Sequence, residues 1–364
     1  MKVSWQRYTL RFRERAITSR DSMMEKDTWF VRIESEEIPG GEAVGEAAMF
    51  HGLSREDTPD YEQQLDNACR RASQCGSLEE MMDSLPRVSS IRAGFESALL
   101  RSGLYPTTGR ETAWLEGNEG IRINGLVWMG DKSTMRRRIR EKLDSGFHCV
   151  KLKIGGIRFE DELELIADIR KEFSPADIEL RLDANGGFTP ENALERLERL
   201  SAFEIHSLEQ PVKPRQWEAM NRICRLSPID IALDEELIGF STREEKIEML
   251  EAIAPRYIIL KPSLCGGFRQ ADEWISLACQ RGIGWWATSA LESNIGLEAI
   301  GRWTASYQPE IPQGLGTGNL YTNNIPSPLE TRGERLWYRR VSLRCPKSKS
   351  RKNPPNVQHR ISDR

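Results

Sequence analysis

Val150-Lys151-Leu152-Lys153-Ile154-Gly155-Gly156 is the stretch from which the architecture of this 364-residue chain can be read. It has strand length and ends in glycines, and side chains alternate across a strand. Val150, Leu152 and Ile154 therefore point into a hydrophobic layer, and both ammonium groups share the opposite face. Taken alone, the pattern reads as an edge or surface strand with two solvated lysines, because charged side chains are rarely buried. Two like charges in a packed interior are costly and lower each other's pKa. An inward placement needs a reason, and the sequence downstream supplies one.

From residue 121 onward, short apolar runs alternate with amphipathic stretches of helical length. The runs cover 123–128, 149–154, 178–183, 205–209, 229–234, 257–261, 283–289 and, less clearly, 311–316. Helical stretches such as 160–173, 190–200, 242–252 and 268–281 lie between them. Repeated β-then-α units of this kind make a parallel sheet. So many in some 200 residues favour a closed barrel over an open doubly wound sheet. No Gly-x-Gly-x-x-Gly follows the first strand to support the open sheet.

Reading outward from the barrel, residues 3–15 alternate as a half-buried strand, and 28–33 and 43–47 read as two more. Between the first two, residues 16–27 read as a loop. Helical patterns over 61–75 and 88–101 complete a separate α+β domain, set at 1–118. The barrel takes 119–316. Residues 317–340, rich in Pro and Asn, should pack back on the first domain. Residues 341–364 are basic and Pro/Ser-rich, a composition that cannot bury a core and reads as a disordered tail.

Composition narrows the function classes. A net charge of −3 gives no electrostatic reason to bind nucleic acid or anionic membrane, and no run reaches the roughly 18 apolar residues of a membrane span. Seven cysteines without a Cys-x-x-Cys pair argue against a disulfide framework or structural zinc site. The N-terminus has no apolar core of a signal peptide. A cytoplasmic enzyme acting on a small molecule fits; the oligomeric state is not legible.

In a βα barrel the C-terminal strand ends face the active site. Those ends carry Lys151 and Lys153, then Asp183, Glu209, Asp234, Lys261 and Ser289. The intervals from Lys153 are 30, 26, 25, 27 and 28 residues, each close to one βα unit. Solvated surface charges would not keep that phase. Three carboxylates converging in a barrel mouth repel unless a cation sits between them, and hard oxygen ligands select Mg²⁺, with Mn²⁺ able to substitute. Lysine on either flank then suits removal of a proton α to a carboxylate. Crowding by a second ammonium should lower the lysine pKa toward working pH. Alternatives for single residues stay open. Asp183, before Ala184-Asn185-Gly186, fits a turn; Asp234 and Glu235 fit an acidic helix start; Ser289 and Ser293 fit helix caps. His51, His148, His206 and His359 fall outside the constellation.

Lys-x-Lys, Asp183-Ala184-Asn185, Glu209-Gln210-Pro211, Asp234-Glu235 and Lys261-Pro262 together resemble the enolase superfamily, in its muconate-lactonizing subgroup. Sites of that superfamily are themselves a standard illustration of a lysine base working beside Mg²⁺, so that chemistry arrives with the resemblance. It implies an α/β fold, a modified TIM barrel of (β/α)7β type with an N-terminal α+β capping domain whose 16–27 loop closes over substrate. Within the subgroup, Ser289-Ala290-Leu291-Glu292-Ser293-Asn294-Ile295-Gly296-Leu297 and residues 314–324 are most similar to the o-succinylbenzoate synthases. Dipeptide epimerases of the subgroup are expected to carry Asp-x-Asp at the last strand, and residues 314–318 hold no acid. N-acylamino-acid racemases and muconate cycloisomerases remain as alternatives.

The resemblance implies the roles. Asp183, Glu209 and Asp234 are the metal ligands, with Asn185 and Glu235 behind them. Lys153 removes the α-proton and returns it to the departing hydroxide by way of a metal-stabilised enediolate; Lys261 stands opposite, and Lys151 tunes Lys153. Ser289, Leu291 and Ser293 are the expected substrate contacts.

Overall fold

The computed structural model describes residues 1–17 and 22–339, so the basic tail expected at 341–364 lies outside the described residues. Alternating apolar and polar residues drive a long antiparallel hairpin, β1 (Lys2–Ile17) against β2 (Ser22–Glu34), joined by β3 (Glu42–Ala47). The loop expected over 16–27 is corrected. Strand pairing extends to Ile17 and Ser22, across an irregularity between Arg11 and Ala16, because cross-strand pairing overrides the polar composition there. Only 18–21 of that segment lie outside the described residues.

Three helices, α1 (Tyr61–Gln74), α2 (Leu78–Ser84) and α3 (Ser89–Ser102), cover this sheet. The approach of α3 to β3 requires glycine. A Cβ on Gly45 would lie 2.0 Å from the Gly94 carbonyl oxygen, inside any van der Waals contact.

After a short α4 (Thr112–Leu115) and β4 (Ile121–Arg122), the βα repeat begins. Its strands are β5 (Gly125–Val127), β6 (Cys149–Lys153), β7 (Glu179–Asp183), β8 (Ser207–Glu209), β9 (Asp230–Leu233), β10 (Tyr257–Leu260) and β11 (Gly284–Ala287). They form one parallel sheet in sequence order. Its helices are α5 (Lys132–Asp144), α6 (Phe159–Glu172), α7 (Ala193–Ser201), α8 (Trp217–Leu226), α9 (Arg243–Ile253), α10 (Phe268–Cys279) and α11 (Asn294–Tyr307). Each buries its apolar side on the sheet, as parallel sheets require.

The weak eighth run, 311–316, closes the barrel through bridges rather than a full strand. Gln313 pairs with Ile123 on one edge and Gly314 with Thr288 on the other. Gly314 N donates to Ala287 O at 2.7 Å, and Gln313 N to Arg122 O at 2.8 Å. Gly314 permits that approach, since a Cβ there would stand 2.3 Å from Thr288 Oγ1. Arg181 pins the closure from inside the barrel: its guanidinium donates to Pro312 O at 2.8 Å and lies 4.5 Å from the Trp286 ring centroid. Trp286 thus fills core.

The last segment touches both halves. Arg13 N donates to Leu320 O and Thr322 N to Arg11 O, each at 2.8 Å, while β12 (Leu329–Arg332) and β13 (Arg335–Tyr338) form a small sheet with β4. Leu10, Phe12, Leu291 and Tyr321 share one apolar cluster, which seats the hairpin on the barrel. Among the described residues no helix is long and apolar enough to cross a membrane.

Candidate active site

Strand register delivers the charged row. Lys153 lies opposite Asp183, and Asp183 opposite Glu209. Glu209 lies opposite Ala232, so Asp234 is two residues further on the same face. Asp234 directly follows β9 and Lys261 directly follows β10. Alternation therefore turns all five side chains to the barrel interior, and both lysines of β6 are buried there.

These groups are bonded to one another. Lys153 Nζ donates to Asp183 Oδ2 at 2.5 Å and to Asn185 Oδ1 at 2.8 Å. Lys151 Nζ reaches Glu209 Oε2 at 2.7 Å and Asp183 Oδ2 at 3.0 Å. Lys261 Nζ donates to Asp234 Oδ2. Behind the row, Asn185 Nδ2 donates to Glu235 Oε1 at 3.0 Å. Asn185 holds this place in the left-handed region, φ 44°, which asparagine tolerates better than most residues. Asn185 thus links Lys153 to Glu235.

At Lys151 the lowering expected of two neighbouring ammonium groups does not occur. Burial pushes the Lys151 ammonium down, but Asp183 and Glu209 outweigh it and hold the group above its ordinary value. Lys261 is likewise raised: burial opposes, and Asp234 and Glu235 prevail. The carboxylates dominate over the repulsion between ammonium groups. Burial pushes Asp183 up, yet Lys151 and Lys153 hold it below the usual carboxylate range. Asp234 is lowered against burial by Lys261. Glu209 goes the other way, raised by burial and then by Asp183 and Asp234 despite its bond to Lys151.

Above the row lies a cavity of about 60 Å³. Lys151, Lys153 and Lys261 form its floor, Ser289 and Leu291 part of its wall, and Trp128 another part. Phe50 and Leu53 reach in from the first domain. Ser293 is corrected as a substrate contact. Its hydroxyl donates to Glu46 Oε2 at 2.5 Å and accepts from Ile295 N at 3.1 Å, so it caps α11 away from the cavity. Trp128 was discoverable, since it sits at the end of the first barrel run in the same phase as the charged ends. Phe50 and Leu53 had no periodic signal. His206 is at the other end of the barrel, stacked on Tyr257 at 5.4 Å.

The donor set fits a hard divalent cation. Three carboxylates feel each other's charge, and Glu209 Oε1 is buried without a hydrogen-bond partner. Among the described residues no three His, Cys, Asp or Glu side chains are drawn into a closed ligand set. The ammonium groups of Lys151, Lys153 and Lys261 hold inner oxygens of the row, so a cation has to compete with them.

Comparison with known proteins gives the family. Residues 134–335 match the family described as "Enolase C-terminal domain-like". An o-succinylbenzoate synthase of Desulfotalea psychrophila is 44% identical over 92% of this chain and 98% of its own length. The crystal structure of MenC from Desulfotalea psychrophila LSv54 superposes with a TM-score of 0.78 at 42% identity, covering 93% of this chain and 99% of that one. An L-Ala-D/L-Glu epimerase from Bacillus subtilis reaches a TM-score of 0.81 at 20% identity, over 93% of this chain and 96% of that one. At that identity the likeness speaks for the fold alone.

Proposed function

Since the chain belongs to the enolase C-terminal domain-like family, we propose that it works as an o-succinylbenzoate synthase. In this reading it is a carbon–oxygen lyase that dehydrates 2-succinyl-6-hydroxy-2,4-cyclohexadiene-1-carboxylate to o-succinylbenzoate in menaquinone biosynthesis. The observation that carries the reading is the pair of lysines bonded to opposite ends of one carboxylate row, Lys153 at Asp183 and Lys261 at Asp234. Full-length identity to a synthase of that name supports the substrate.

Asp183, Glu209 and Asp234 would hold Mg²⁺, or Mn²⁺ in its place, which supplies positive charge beside the substrate carboxylate as the neighbouring proton leaves. Lys153, neutral at that moment, takes the α-proton on its amine. The same ammonium then gives its proton to the hydroxyl leaving from the same face, and water departs as the ring becomes aromatic. Lys261 presents its charge to the opposite face of the ring. Lys151 holds Asp183 and Glu209 in place; Asn185, tied to Glu235, orients Lys153. Ser289, Leu291 and Trp128 shape the wall and exclude water. The six described cysteines are free thiols, in keeping with a cytoplasmic setting.

A dipeptide epimerase is disfavoured by the wall itself. Gly314, Gly316 and Thr317 line the cavity and offer no carboxylate for a substrate ammonium. The test is an absorbance assay of the cyclohexadiene substrate with Mg²⁺, with a chelator, and with Lys153→Ala. Dehydration should require the metal and fall by far more than about tenfold in the variant, the loss expected of a missing general base. A variant that keeps turnover close to wild type removes Lys153 from its role.

A further inference from the structure

The hairpin face that rests on the barrel mouth carries a buried charge cluster that the reaction above does not use. Lys26 of β2 is buried, its Nζ has no hydrogen-bond partner, and the charges acting on it are those of Glu46, Glu292 and Asp27. Glu46 is already satisfied. Its Oε1 accepts from Thr28 Oγ1 and Ser293 N, each at 2.8 Å, and its Oε2 from Ser293 Oγ at 2.5 Å and Gly296 N at 2.9 Å. Glu292 is half satisfied. Oε1 accepts from Ser263 Oγ at 2.6 Å, while Oε2 is buried with no hydrogen-bond partner. An orphan ammonium and an orphan carboxylate oxygen in one buried cluster complement each other, and each is costly alone.

What Glu292 grips matters for the chemistry. Ser263 is the third residue of the turn that begins at Lys261, closed by Leu264 N donating to Lys261 O at 2.8 Å. Holding the Ser263 hydroxyl holds the turn whose first residue aims its ammonium at Asp234. On the other side of Glu292, Leu291 forms cavity wall in the left-handed region, φ 59°. Such a conformation is strained for a leucine and persists only where its surroundings hold it. Tyr321 OH fixes it by donating to Leu291 O at 2.7 Å, and this kink carries Glu292 inward to the interface.

We propose that Glu292 is a positioning residue for Lys261, acting through Ser263, and that Lys26 is the counter-charge from the first domain that braces it. The inference rests on the role given to Lys261 above. The charges that act on Lys26, those of Glu46, Glu292 and Asp27, are all negative, which favours bracing over capture of a substrate anion.

The test pairs dehydration kinetics at saturating Mg²⁺ with thermal melts. Ser263→Ala and Glu292→Ala should each lower kcat about tenfold with KM within about twofold, and the double variant should be no slower than the worse single one. Glu292→Gln keeps an acceptor for Ser263 and should restore most of kcat. Losses that multiply, a rise in KM, or losses that vanish once corrected for folded fraction overturn the positioning role. Lys26→Met should lower the melting temperature of the wild-type chain but not that of Glu292→Gln. Equal losses in both backgrounds, or an effect on KM alone, overturn the brace. If the wild-type chain does not dehydrate this substrate, the assigned reaction fails, while the melts still decide whether Lys26 and Glu292 are coupled.

Discussion

Replacing Glu96 by glutamine should abolish a pH-dependent loss of stability that the native chain carries between about pH 4.5 and 7. Glu96 lies on α3, fully buried, and Oε2 accepts the Phe268 and Arg269 amides at the start of α10 while Oε1 has no hydrogen-bond partner. Burial pushes its carboxyl up to about 7, against the pull of those amides and of Arg92 and Arg269. A folded-state value above the unfolded one means that the folded chain binds the extra proton. Stability from this group is therefore complete below about pH 4.5 and is lost as pH rises through about 7. At about 1.4 kcal/mol per pH unit, the span from 4.5 to about 7 gives a loss of about 3 kcal/mol. Urea unfolding of both proteins from pH 4.5 to 8 isolates the effect, because every other titration cancels in the difference. Glutamine places a buried amide where Oε1 stood and carries a constant penalty of about 1–3 kcal/mol, so the slope and not the offset is diagnostic. A difference that stays flat with pH refutes the account.

Other outcomes follow from single contacts. Lys261→Arg should retain part of the dehydration activity and abolish any racemisation of an N-acylamino acid, since racemisation needs acid/base groups on both faces; equal loss in both assays argues against that division. Glu209→Gln should weaken Mn²⁺ binding by at least about tenfold, measured by titration calorimetry, and unchanged affinity removes Glu209 from the ligand set. Thr242→Ala breaks the capping box it forms with Glu245 at the start of α9 and should cost about 1 kcal/mol in urea melts. Gly45→Ala should cost more, about 1–3 kcal/mol or beyond, as its methyl meets the Gly94 carbonyl; a neutral outcome would mean that α3 can shift.

Spacing along the polypeptide was enough to choose a barrel and to put Lys153, Asp183, Glu209, Asp234 and Lys261 on one face. Strand phase is a local property with a period of two, so a charge that keeps step with successive apolar runs announces its direction without any knowledge of its neighbours. The long hairpin, the bridged closure at Gln313 and Gly314, and the true partner of Ser293 gave no such signal, because each depends on a segment far away in the chain. The same holds for the balance of charge. Which oxygens meet which ammonium groups, and hence why Lys151 is pushed up rather than down, is settled only when five strands, β6 to β10, stand side by side. Electrostatic energy depends on separation in space, and a linear sequence records that separation only where the chain repeats itself.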